Sequence, residues 1–522
     1  MKLKKQDIFE ILNERFSSQE FKTLSDMPHP YRLLNLEKAS KRVAKAIKDG
    51  EKIALIGDYD VDGVVSSSII KEFFDLIEYP LEVYIPNRFS DGYGVSEKII
   101  NKLDCSLAIT VDNGISAFRA GEVAKELGID LVITDHHEPS KELPEAYTIV
   151  NPKLKECPFE FKDICGALVA WYLVAGLKIE LKADIDLKRF FDILSIAIIA
   201  DVMPLIELNR VLVKSGLNYI NQSNRPSIVA IREYLNISEF KSETIAFQVS
   251  PRLNSAGRIK DASLSFNFLL SESIDEALYL FDSLNNLNEQ RKELEADITN
   301  QAIKMVDESS NISVVYSENW HEGVIGIVAS RLVDRFKKPA IVFSITDGIA
   351  KGSARSYSEI DILKQIDNQK ELLLGYGGHK KAGGLSLKEE NLEKFREKID
   401  SEFESGDESD EDFDIMGSID MSEIDFELLT ILDKFEPYGE SNPKPKFLAT
   451  DLQIKKIQEL GKNQEHLKFT LFDAQSQTEH TALAFRATHK PSKKEPLSFK
   501  YTINKNEFNN RVSIQLIIDS FK

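Results

Sequence analysis

Short apolar runs alternate with helical stretches between about residues 38 and 205, and this pattern constrains the fold more than any other feature of the sequence. Such an alternation is typical of an α/β domain built on a mostly parallel sheet. The predicted strands are Ile53–Gly57, Leu81–Pro86, Leu107–Val111, Leu131–Thr134 and Thr148–Val150. In an open sheet of this kind, ligands bind at the carboxyl ends of the strands. The residues that follow the apolar runs are therefore the first candidates for a functional site.

Acidic residues and histidines follow four of the apolar segments. In chain order they are Asp58, Asp60 and Asp62, then Asp112, then Asp135, His136 and His137, and finally Asp201 after the segment SIAIIA (195–200). A single Asp after a strand is usually a helix cap or a turn residue. Four such positions in one sheet, in this order, favour a shared site instead.

Carboxylates gathered at one edge of a sheet repel one another unless cations lie between them. Two divalent ions about 3.5–4 Å apart make such a cluster favourable, as in many phosphatases and nucleases. Carboxylate oxygens suit Mg²⁺ or Mn²⁺, and one imidazole shifts the preference towards Mn²⁺. The sequence therefore predicts a site for two divalent cations, Mn²⁺ or Mg²⁺.

A second α/β stretch begins near Ile312, with predicted strands at 312–316 and 339–345 and a helix between them. The helical region that precedes it ends in residues 274–309, which are charged and contain neither Pro nor Gly, as a long connecting helix would. Three segments combine glycine with Arg, Ser or His, a composition that lets backbone approach an anion. They are PRLNSAGR (251–258), GSARS (352–356) and GGHKKAGG (377–384), of which the last alone is also compatible with a flexible surface loop.

Residues 402–414 contain eight acids and no base, which is typical of a flexible linker. Residues 416–522 then change to short alternating segments that predict a small OB-like β domain. Lysines interleave there with aromatic residues, and this mixture suits a surface that binds a single strand. In the alternative interpretation the aromatic rings fill the barrel and the lysines solubilise it. The residues concerned are Lys490, Lys493, Lys494, Lys500, Lys505, Phe499, Tyr501 and Phe508.

Four motifs around the acidic positions resemble those of the DHH phosphoesterases, a family named after an Asp-His-His trio like the one at 135–137. They are DYDVDG (58–63), VDNGIS (111–116), TDHHEP (134–139) and ADVMPL (200–205). By this resemblance the expected metal ligands are Asp60, Asp62, Asp112, His136 and Asp201. The resemblance also implies that Asp58 and Asp135 are supporting catalytic acids, with Asp135 orienting a histidine. It implies that His137 faces the scissile phosphate and stabilises charge there or protonates the leaving oxygen.

The downstream segments resemble the DHH-associated domain. PRLNSAGR, IPNRFSDGYGVS (85–96) and GVIGIVASRL (323–332) are similar to the RecJ branch of the family. This resemblance implies that Ser353 and Arg355 capture the 5′-terminal phosphate of the substrate and that Arg258 and His379 contact neighbouring phosphates. Arg88 and Asn254, which lie in the RecJ-like segments, complete the expected substrate-binding set.

What the resemblance implies is a 5′-to-3′ exonuclease that is specific for single-stranded DNA. It would hydrolyse phosphodiester bonds with two divalent cations and release 5′-mononucleotides, in DNA recombination and repair. The expected protein partners are a single-strand-binding protein and a helicase, and the chain is expected to be a monomer. Two alternatives stay open. One is a DHH-family nanoRNase or cyclic-dinucleotide phosphodiesterase, and the other is a non-catalytic replication factor that binds single strands.

The expected fold class is α/β, in five parts. These are a parallel-sheet DHH catalytic domain with an N-terminal extension (1–215), a helical connector (216–309), a DHH-associated α/β domain (310–401), an acidic linker (402–415) and an OB-like domain (416–522). The segment FEPYGESNPKP (435–445) resembles a RecJ junction in which a glycine usually stands in place of Ser441. Serine would be strained there if its backbone needs a positive φ. No domain is expected after the β domain.

The composition argues against a membrane-spanning, secreted, disulfide-linked or zinc-binding protein. The net charge of −19 does not exclude nucleic acid, because residues 486–522 carry eight Lys or Arg against three acids. The most apolar stretch, 190–206, contains two Asp and a Pro, and the first residues include no apolar signal segment, so neither a membrane span nor secretion is expected. Three cysteines without CxxC spacing argue against disulfides and a zinc site. The protein is expected in the cytoplasm.

Overall fold

A computed structural model of the protein describes residues 2–404, 415–461, 464, 466–485, 487, 490–492, 495–508 and 511–521. Most of the predicted acidic linker (405–414), together with Lys493 and Lys494, lies outside these residues. In the described chain, three sheets and a helical connector follow one another in the predicted order. No helix among the described residues is both long enough and apolar enough to cross a membrane.

The first residues form a short arm with strand β1 (Lys2–Leu3) and helix α1 (Lys5–Glu14). The expected place of this segment is the first domain, as an N-terminal extension. The structure places it on the C-terminal domain, where β1 pairs in parallel with the strand Ile415–Ile419 and where Ile8 and Leu12 are buried in the core. Pairing between such distant segments leaves no local signal in the sequence.

The first domain is a five-stranded parallel sheet of order β3-β2-β4-β5-β6, with helices on both faces. Its strands are β2 (Ile53–Ile56), β3 (Glu82–Tyr84), β4 (Leu107–Val111), β5 (Asp130–Thr134) and β6 (Thr148–Val150). Its helices are α2 (Leu36–Asp49), α3 (Val61–Leu76), α4 (Glu97–Ile100), α5 (Phe118–Glu126), α6 (Gly166–Leu181), α7 (Phe191–Ala200) and α8 (Glu207–Gln222). Strands β2 and β4 are buried throughout, as a parallel sheet between helices requires.

The apolar segment 195–200 is helical, although the sequence analysis grouped it with the strand ends of the sheet. It forms the end of α7, which is buried from Phe191 to Ile199 and packs against α3 and α8. A segment that is apolar on every side shows no periodicity, so a buried helix and a buried strand look alike in the sequence.

The connector is helical. It contains α9 (Pro226–Tyr234), α10 (Ser242–Thr244), a π-helical turn (Ile245–Val249), α11 (Ser250–Ile259), α12 (Ser263–Leu269) and the long α13 (Ile274–Ile303). PRLNSAGR lies within α11 and is not the anion-binding loop that its glycine suggested. Helix α13 ends at Ile303, before the predicted Ser309. Beyond it, the Asp307 carboxylate accepts hydrogen bonds from the Ser309 N–H and hydroxyl in a local turn, so this segment is not helical.

The second domain carries a sheet of order β10-β11-β9-β8-β7, in which only the β7–β8 pair is parallel. Its elements are β7 (Ser313–Ser317), α14 (Ile325–Phe336), β8 (Ala340–Thr346), β9 (Ile349–Arg355), α15 (Ile362–Asp367), β10 (Leu373–His379), β11 (Ala382–Lys388) and α16 (Leu392–Ser401). GGHKKAGG is the β10–β11 hairpin, so its interpretation as a flexible loop is wrong. Glu402 and Glu404 of the predicted linker accept hydrogen bonds from Gln369 and Lys364 of this domain.

The C-terminal domain is a closed barrel, because β13 pairs with both β14 and β16. Its elements are β12 (Ile415–Ile419), α17 (Phe426–Asp433), β13 (Lys446–Leu460), β14 (His466–Asp473), β15 (Thr478–Ala484), β16 (Leu497–Phe508) and β17 (Arg511–Phe521). Phe499 and Tyr501 are buried inside it, so for these two rings the barrel-filling interpretation is confirmed. Lys490 forms an ion pair with Glu459.

Ser441 has a φ of 59° and is exposed in a turn in which Gly439 and Asn442 exchange backbone hydrogen bonds of 2.9 and 3.2 Å. The condition for strain at this position is therefore met. We expect Ser441→Gly to raise the free energy of unfolding by about 0.5–1 kcal/mol, because left-handed backbone is costly for residues other than glycine and the freedom of unfolded glycine offsets only part of the gain. Ser441→Ala is the control and should not stabilise. Urea denaturation checks both, and equal stability of Ser441→Gly and the parent would contradict the expectation.

Candidate metal centre and substrate cleft

The strand register brings the predicted acidic positions to one edge of the first sheet. Ile56 pairs with Thr110, Val111 with Thr134, and Thr134 with Val150, so the strands end side by side. The residues that follow these strands face the same space, as the parallel topology predicts. They are Asp58, Asp112, Asp135 and, after the fifth strand, Asn151.

His136 lies at the centre of a cluster of carboxylates. Its Nε2 is 3.1 Å from Asp112 Oδ1 and 3.6 Å from one carboxylate oxygen each of Asp62 and Asp201. Potential ligand atoms of three overlapping triplets lie within 4.8 Å of one another. The triplets are Asp62–His136–Asp201, Asp112–His136–His137 and Asp58–Asp60–Asp112. All five predicted metal ligands are thus brought together, with Asp58 beside them.

Helix N-termini hold two of the carboxylates in place. Asp60 caps α3 by accepting a 3.0 Å hydrogen bond from the Gly63 N–H. Asp62 accepts hydrogen bonds of 2.6 and 2.9 Å from the N–H groups of Gly166 and Ala167, the first two residues of α6. Unpaired N–H groups and the helix dipole make such an end a binding place for negative charge. At Asp60 this support only partly offsets burial and the charge of Asp62, which raise the pKa of Asp60.

Asp112 and Asp201 have no comparable support. Asp112 has a φ of 63° and packs so closely against Gly166 that a Cβ there would lie 2.4 Å from Asp112 Oδ1. Asp201 follows the last residue of α7 and so meets the negative end of that helix dipole. The structure thus places one predicted ligand at a helix C-terminus, where a carboxylate is unfavourable without a nearby cation.

Burial and mutual repulsion shift the pKa values of the cluster. Burial, reinforced by the charge of Asp60, raises the pKa of Asp58. Burial and the charge of Asp62 raise the pKa values of Asp112 and Asp201. Burial lowers the pKa of His136, which keeps its imidazole neutral and able to act as a ligand. The site as it stands contains more negative charge than the protein compensates.

Several polar atoms of the cluster have no hydrogen-bond partner within the described chain. They are Asp58 Oδ1, Asp112 Oδ1, Asp201 Oδ2 and His136 Nδ1, and all are buried. Buried polar atoms are normally paired, and exceptions call for an explanation such as an ion. Carboxylate oxygens with one imidazole nitrogen form the donor set that Mn²⁺ and Mg²⁺ accept. The cluster therefore fits divalent cations.

Asp135 orients His137 and belongs to none of the triplets. Its Oδ1 accepts hydrogen bonds from the backbone N–H of His136 at 2.7 Å and from Nδ1 of His137 at 2.8 Å, and its Oδ2 accepts one from the Ile115 N–H at 2.8 Å. Although burial opposes the shift, the hydrogen bond from His137 lowers the pKa of Asp135. Burial likewise opposes the rise in the pKa of His137 that Asp135 causes. A proton is thereby held on His137 at the mouth of the site.

A cleft of about 750 Å³ opens in front of His137, between the first and second domains. Tyr59, Arg88 and Tyr93 line it on one side and Ser353 and Arg355 on the other. Nη1 of Arg355 donates a 3.0 Å hydrogen bond to the Ser353 hydroxyl. Two guanidinium groups thus face one cavity, where burial and the charge of Arg88 lower the pKa of Arg355. This wall is suited to an anion.

The other three predicted substrate-binding residues are not among those that line this cleft. Burial and the charges of Arg88 and Arg291 lower the pKa of Arg258 to about 10, and its Nη1 donates to the Gly323 carbonyl at 3.3 Å. Asn254 uses its side-chain oxygen to accept the Val61 N–H at 3.1 Å. With Arg258, it lines a separate cavity of about 520 Å³ that reaches the C-terminal domain. His379 is exposed at the end of β10.

Sequence reasoning missed several residues of the site. Asn151 follows β6 and donates a 2.9 Å hydrogen bond to the His137 carbonyl, and Lys153 forms an ion pair with Glu138. The Asn-Pro-Lys sequence after the fifth predicted strand was the available signal. Tyr59 and Tyr93 lie inside quoted motifs, but their sequence positions do not show that their rings face the cleft.

Three family models match the chain. They are described as "DHH family, N-terminal domain" for residues 52–198, "DHHA1 domain" for 309–405 and "RecJ OB domain" for 415–520. These matches define the class to which the fold and site belong: a DHH-type catalytic domain followed by its associated domain and an OB barrel. The resemblance found in the sequence motifs is confirmed.

Relatives narrow the class. The "Single-stranded-DNA-specific exonuclease RecJ" of Bacillus subtilis is 35% identical, over 95% of this chain and 64% of that protein. The protein of the same name from Haemophilus influenzae is 32% identical, over 95% of this chain and 92% of the other. The crystal structure of RecJ in complex with Mn²⁺ from Thermus thermophilus superposes with a TM-score of 0.78 at 27% identity, covering 94% of this chain and 72% of that one. The chain belongs to the RecJ family.

We expect Asp112→Asn to stabilise the protein in EDTA by about 1–3 kcal/mol, the scale associated with one buried unsatisfied polar group, because it removes a charge that nothing compensates. The same change should reduce the rise in melting temperature that Mn²⁺ causes. Asp130→Asn is the control: this carboxylate lies at the start of β5, away from the cluster, and pairs with Arg42 at 2.6 Å. The variant should therefore be less stable and keep the Mn²⁺ response. Differential scanning calorimetry with and without Mn²⁺ decides. A full Mn²⁺ response in Asp112→Asn would contradict the assignment.

Proposed function

We propose that the protein is a 5′-to-3′ exonuclease specific for single-stranded DNA, which hydrolyses phosphodiester bonds and releases 5′-mononucleotides in DNA recombination and repair. One observation carries the proposal. A buried cluster of carboxylates around His136 opens into a cleft whose opposite wall presents Ser353 and Arg355. The names of the relatives support this substrate, although the chain spans only 64% of the length of the Bacillus subtilis protein.

Asp60, Asp62, Asp112, His136 and Asp201 are the proposed ligands of two divalent cations, Mn²⁺ or Mg²⁺. When bound, such cations neutralise the carboxylates, polarise a phosphoryl oxygen and make water a better nucleophile. The cluster supports this assignment because its triplets overlap at Asp112 and at His136, so that neighbouring ions would share ligands. Asp58 is the proposed supporting acid, since it is buried next to Asp60 and Asp112.

His137 is the proposed proton donor. Asp135 accepts a hydrogen bond from Nδ1 of the imidazole and keeps the ring protonated. The second N–H, at Nε2, can then point into the cleft. The oxygen that leaves in this reaction is O3′ of the terminal nucleotide, so a proton from Nε2 would complete its hydroxyl. The shortened strand then starts with a 5′-phosphate again, which makes the next cycle identical.

Ser353, Arg355 and Arg88 are the proposed readers of the terminal phosphate. Their side chains face one cavity, and an arginine fork matches the oxygens of a phosphate. Arg258, Asn254 and His379 are proposed to contact neighbouring parts of the strand. Reading an end in this way would restrict cleavage to the first linkage.

The alternatives account for less of the structure. A nanoRNase or a cyclic-dinucleotide phosphodiesterase has small substrates that do not need the barrel, which occupies residues 415–520 of this chain. A non-catalytic binding protein has no need of a complete and electrostatically costly ligand set. We also propose the cytoplasmic location, the monomeric state, the partnership with a single-strand-binding protein and a helicase, and the five-part division of the chain, with the N-terminal arm on the C-terminal domain as the structure has it.

Digestion of a long single strand, labelled separately at each end, tests the function. With Mn²⁺ or Mg²⁺, we expect immediate release of the 5′ label as a mononucleotide while the 3′-labelled strand shortens step by step. A duplex of the same sequence should resist cleavage. Rapid hydrolysis of dinucleotides without loss of the long strand would favour the small-substrate alternative. Binding without cleavage in either metal would favour the non-catalytic one.

Arg355→Ala should slow cleavage of 5′-phosphorylated strands by about 10- to 100-fold, the equivalent of one lost charge-assisted hydrogen bond. Cleavage of 5′-hydroxyl strands should change much less, because they lack the group that Arg355 binds. Lys398→Ala is the control, since it removes a cation of the same domain that is paired with Glu371 at 2.8 Å and is not among the residues that line the cleft. Steady-state rates on both substrates provide the measurement. Equal losses on both would show that Arg355 does not read the terminal phosphate.

A further inference from the structure

Asn113, next to the proposed ligand Asp112, is completely buried, and its amide makes four hydrogen bonds. Its Nδ2 donates to the carbonyls of Ile56, Gly57 and Val111 at 3.2, 2.9 and 2.8 Å, and its Oδ1 accepts the Val95 N–H at 2.9 Å. Three of these bonds satisfy carbonyls at the ends of β2 and β4. The fourth leaves the sheet and reaches the loop 87–96.

This loop joins the two sides of the cleft. Asn87 donates a 2.9 Å hydrogen bond to the carbonyl of Lys260 in the connector, and the ring of Phe89 meets that of His321 in the second domain, with the centroids 5.4 Å apart. At its other end, Gly94 packs against Asn113: a Cβ there would lie 2.9 Å from the Cβ of Asn113, and the φ of Gly94 is 59°. The loop is therefore attached at several points, and Asn113 ties it to the metal-binding edge.

The loop also carries two of the side chains that line the cleft. The guanidinium of Arg88 lies 5.1 Å from the centre of the Tyr59 ring, and the Tyr93 hydroxyl is 3.4 Å from Nε2 of His137. Any shift of the loop relative to Asn113 would move Arg88 and Tyr93 together. It would thus change the distance between the proposed phosphate reader Arg88 and the proposed proton donor His137.

We propose that Asn113 is a positioning residue that sets the length of the released product. Its amide holds loop 87–96 at a fixed distance from the metal-binding edge, so that a terminal phosphate held at Arg88 places the first linkage at His137. The inference rests on the proposed function and adds to it the element that fixes the register between end recognition and cleavage. The hydrogen bond that Asn113 accepts from the Val95 N–H is the one that holds the loop, because the other three bind carbonyls of the sheet.

Two variants loosen this attachment from opposite sides. Asn113→Ala removes all four hydrogen bonds and is therefore also a test of stability. Gly94→Ala keeps the Asn113 amide, the partner of the sheet carbonyls, but places a methyl group 2.9 Å from the Asn113 Cβ at a φ of 59°, which strains the loop at this contact. Asn151→Ala is the matched contrast: it removes another buried amide at the same edge, one that supports His137 without touching the loop.

The experiment uses a long single strand with a ³²P-labelled 5′-phosphate, the full-length protein and Mn²⁺. We expect Gly94→Ala and Asn113→Ala to release label in di- and trinucleotides besides the mononucleotide. Their preference for 5′-phosphate over 5′-hydroxyl ends should fall about tenfold, as a misplacement of about 1 Å allows. Asn151→Ala should be slower and still release mononucleotides alone. Mn²⁺ affinity, measured by electron paramagnetic resonance, should fall far less in Gly94→Ala than in a variant of a proposed ligand, because the substitution removes no ligand atom.

Mononucleotides alone and an unchanged end preference in a folded Gly94→Ala protein would overturn the inference, whatever the stability of Asn113→Ala. Longer products from Asn151→Ala would overturn it as well, since the register would then depend on His137 and not on the loop. If the parent protein does not cut long strands at all, the proposed function fails instead. That result is visible before any variant is measured.

Discussion

Repulsion among buried carboxylates is the interaction on which the rest of this structure depends. Asp58, Asp112 and Asp201 lie within a few ångströms of other acids, and burial raises the pKa values of all three. The fold offsets part of this cost where it can, with the N-terminus of α3 at Asp60 and that of α6 at Asp62. It does the opposite at Asp201, where the helix dipole adds to the negative charge. Because the fold compensates only part of the negative charge of the cluster, the remaining stabilisation has to come from a bound cation.

Close backbone approaches transmit the position of this cluster to the rest of the protein. Gly257 of α11 lies so near to the Tyr59 carbonyl that a Cβ would come within 2.2 Å of it. The next contact runs from α11 to the second domain, where a Cβ on Gly323 would lie 1.9 Å from the Arg258 carbonyl. Neither Gly257 nor Gly323 leaves room for a side chain. The segment 58–62, the connector and the second domain therefore pack against one another in that order. The glycines of these motifs serve contact between backbones, whereas the sequence analysis interpreted the one in PRLNSAGR as a site of anion approach.

The sequence predicted the parts of the fold whose signals are local. Apolar runs located β4 and β6 to the residue, and the acids that follow β2, β4 and β5 met at one edge because the side-by-side arrangement of parallel strands requires it. It failed where the signal was ambiguous or distant. The run before Asp201 is apolar all round and fits a helix as well as a strand. The pairing of Lys2 with Ser418 and the hydrogen bond that the Val95 N–H donates to Asn113 join residues whose proximity only the tertiary structure creates.

The carboxylate cluster reaches the cleft at His137, and Arg355 faces the same cleft from the second domain. Burial and the neighbouring acids raise the pKa values of Asp112 and Asp201. Burial and the charge of Arg88 lower the pKa of Arg355. Neither group can neutralise the other directly, because both are held on rigid elements with a cavity of about 750 Å³ between Tyr59 and Ser353. A phosphate chain with bound cations would supply both kinds of countercharge. The cations would face the acids, and the phosphate oxygens would face the arginines. Under the proposed function, this electrostatic cost in the protein alone is what a metal-bound phosphate chain would offset on binding.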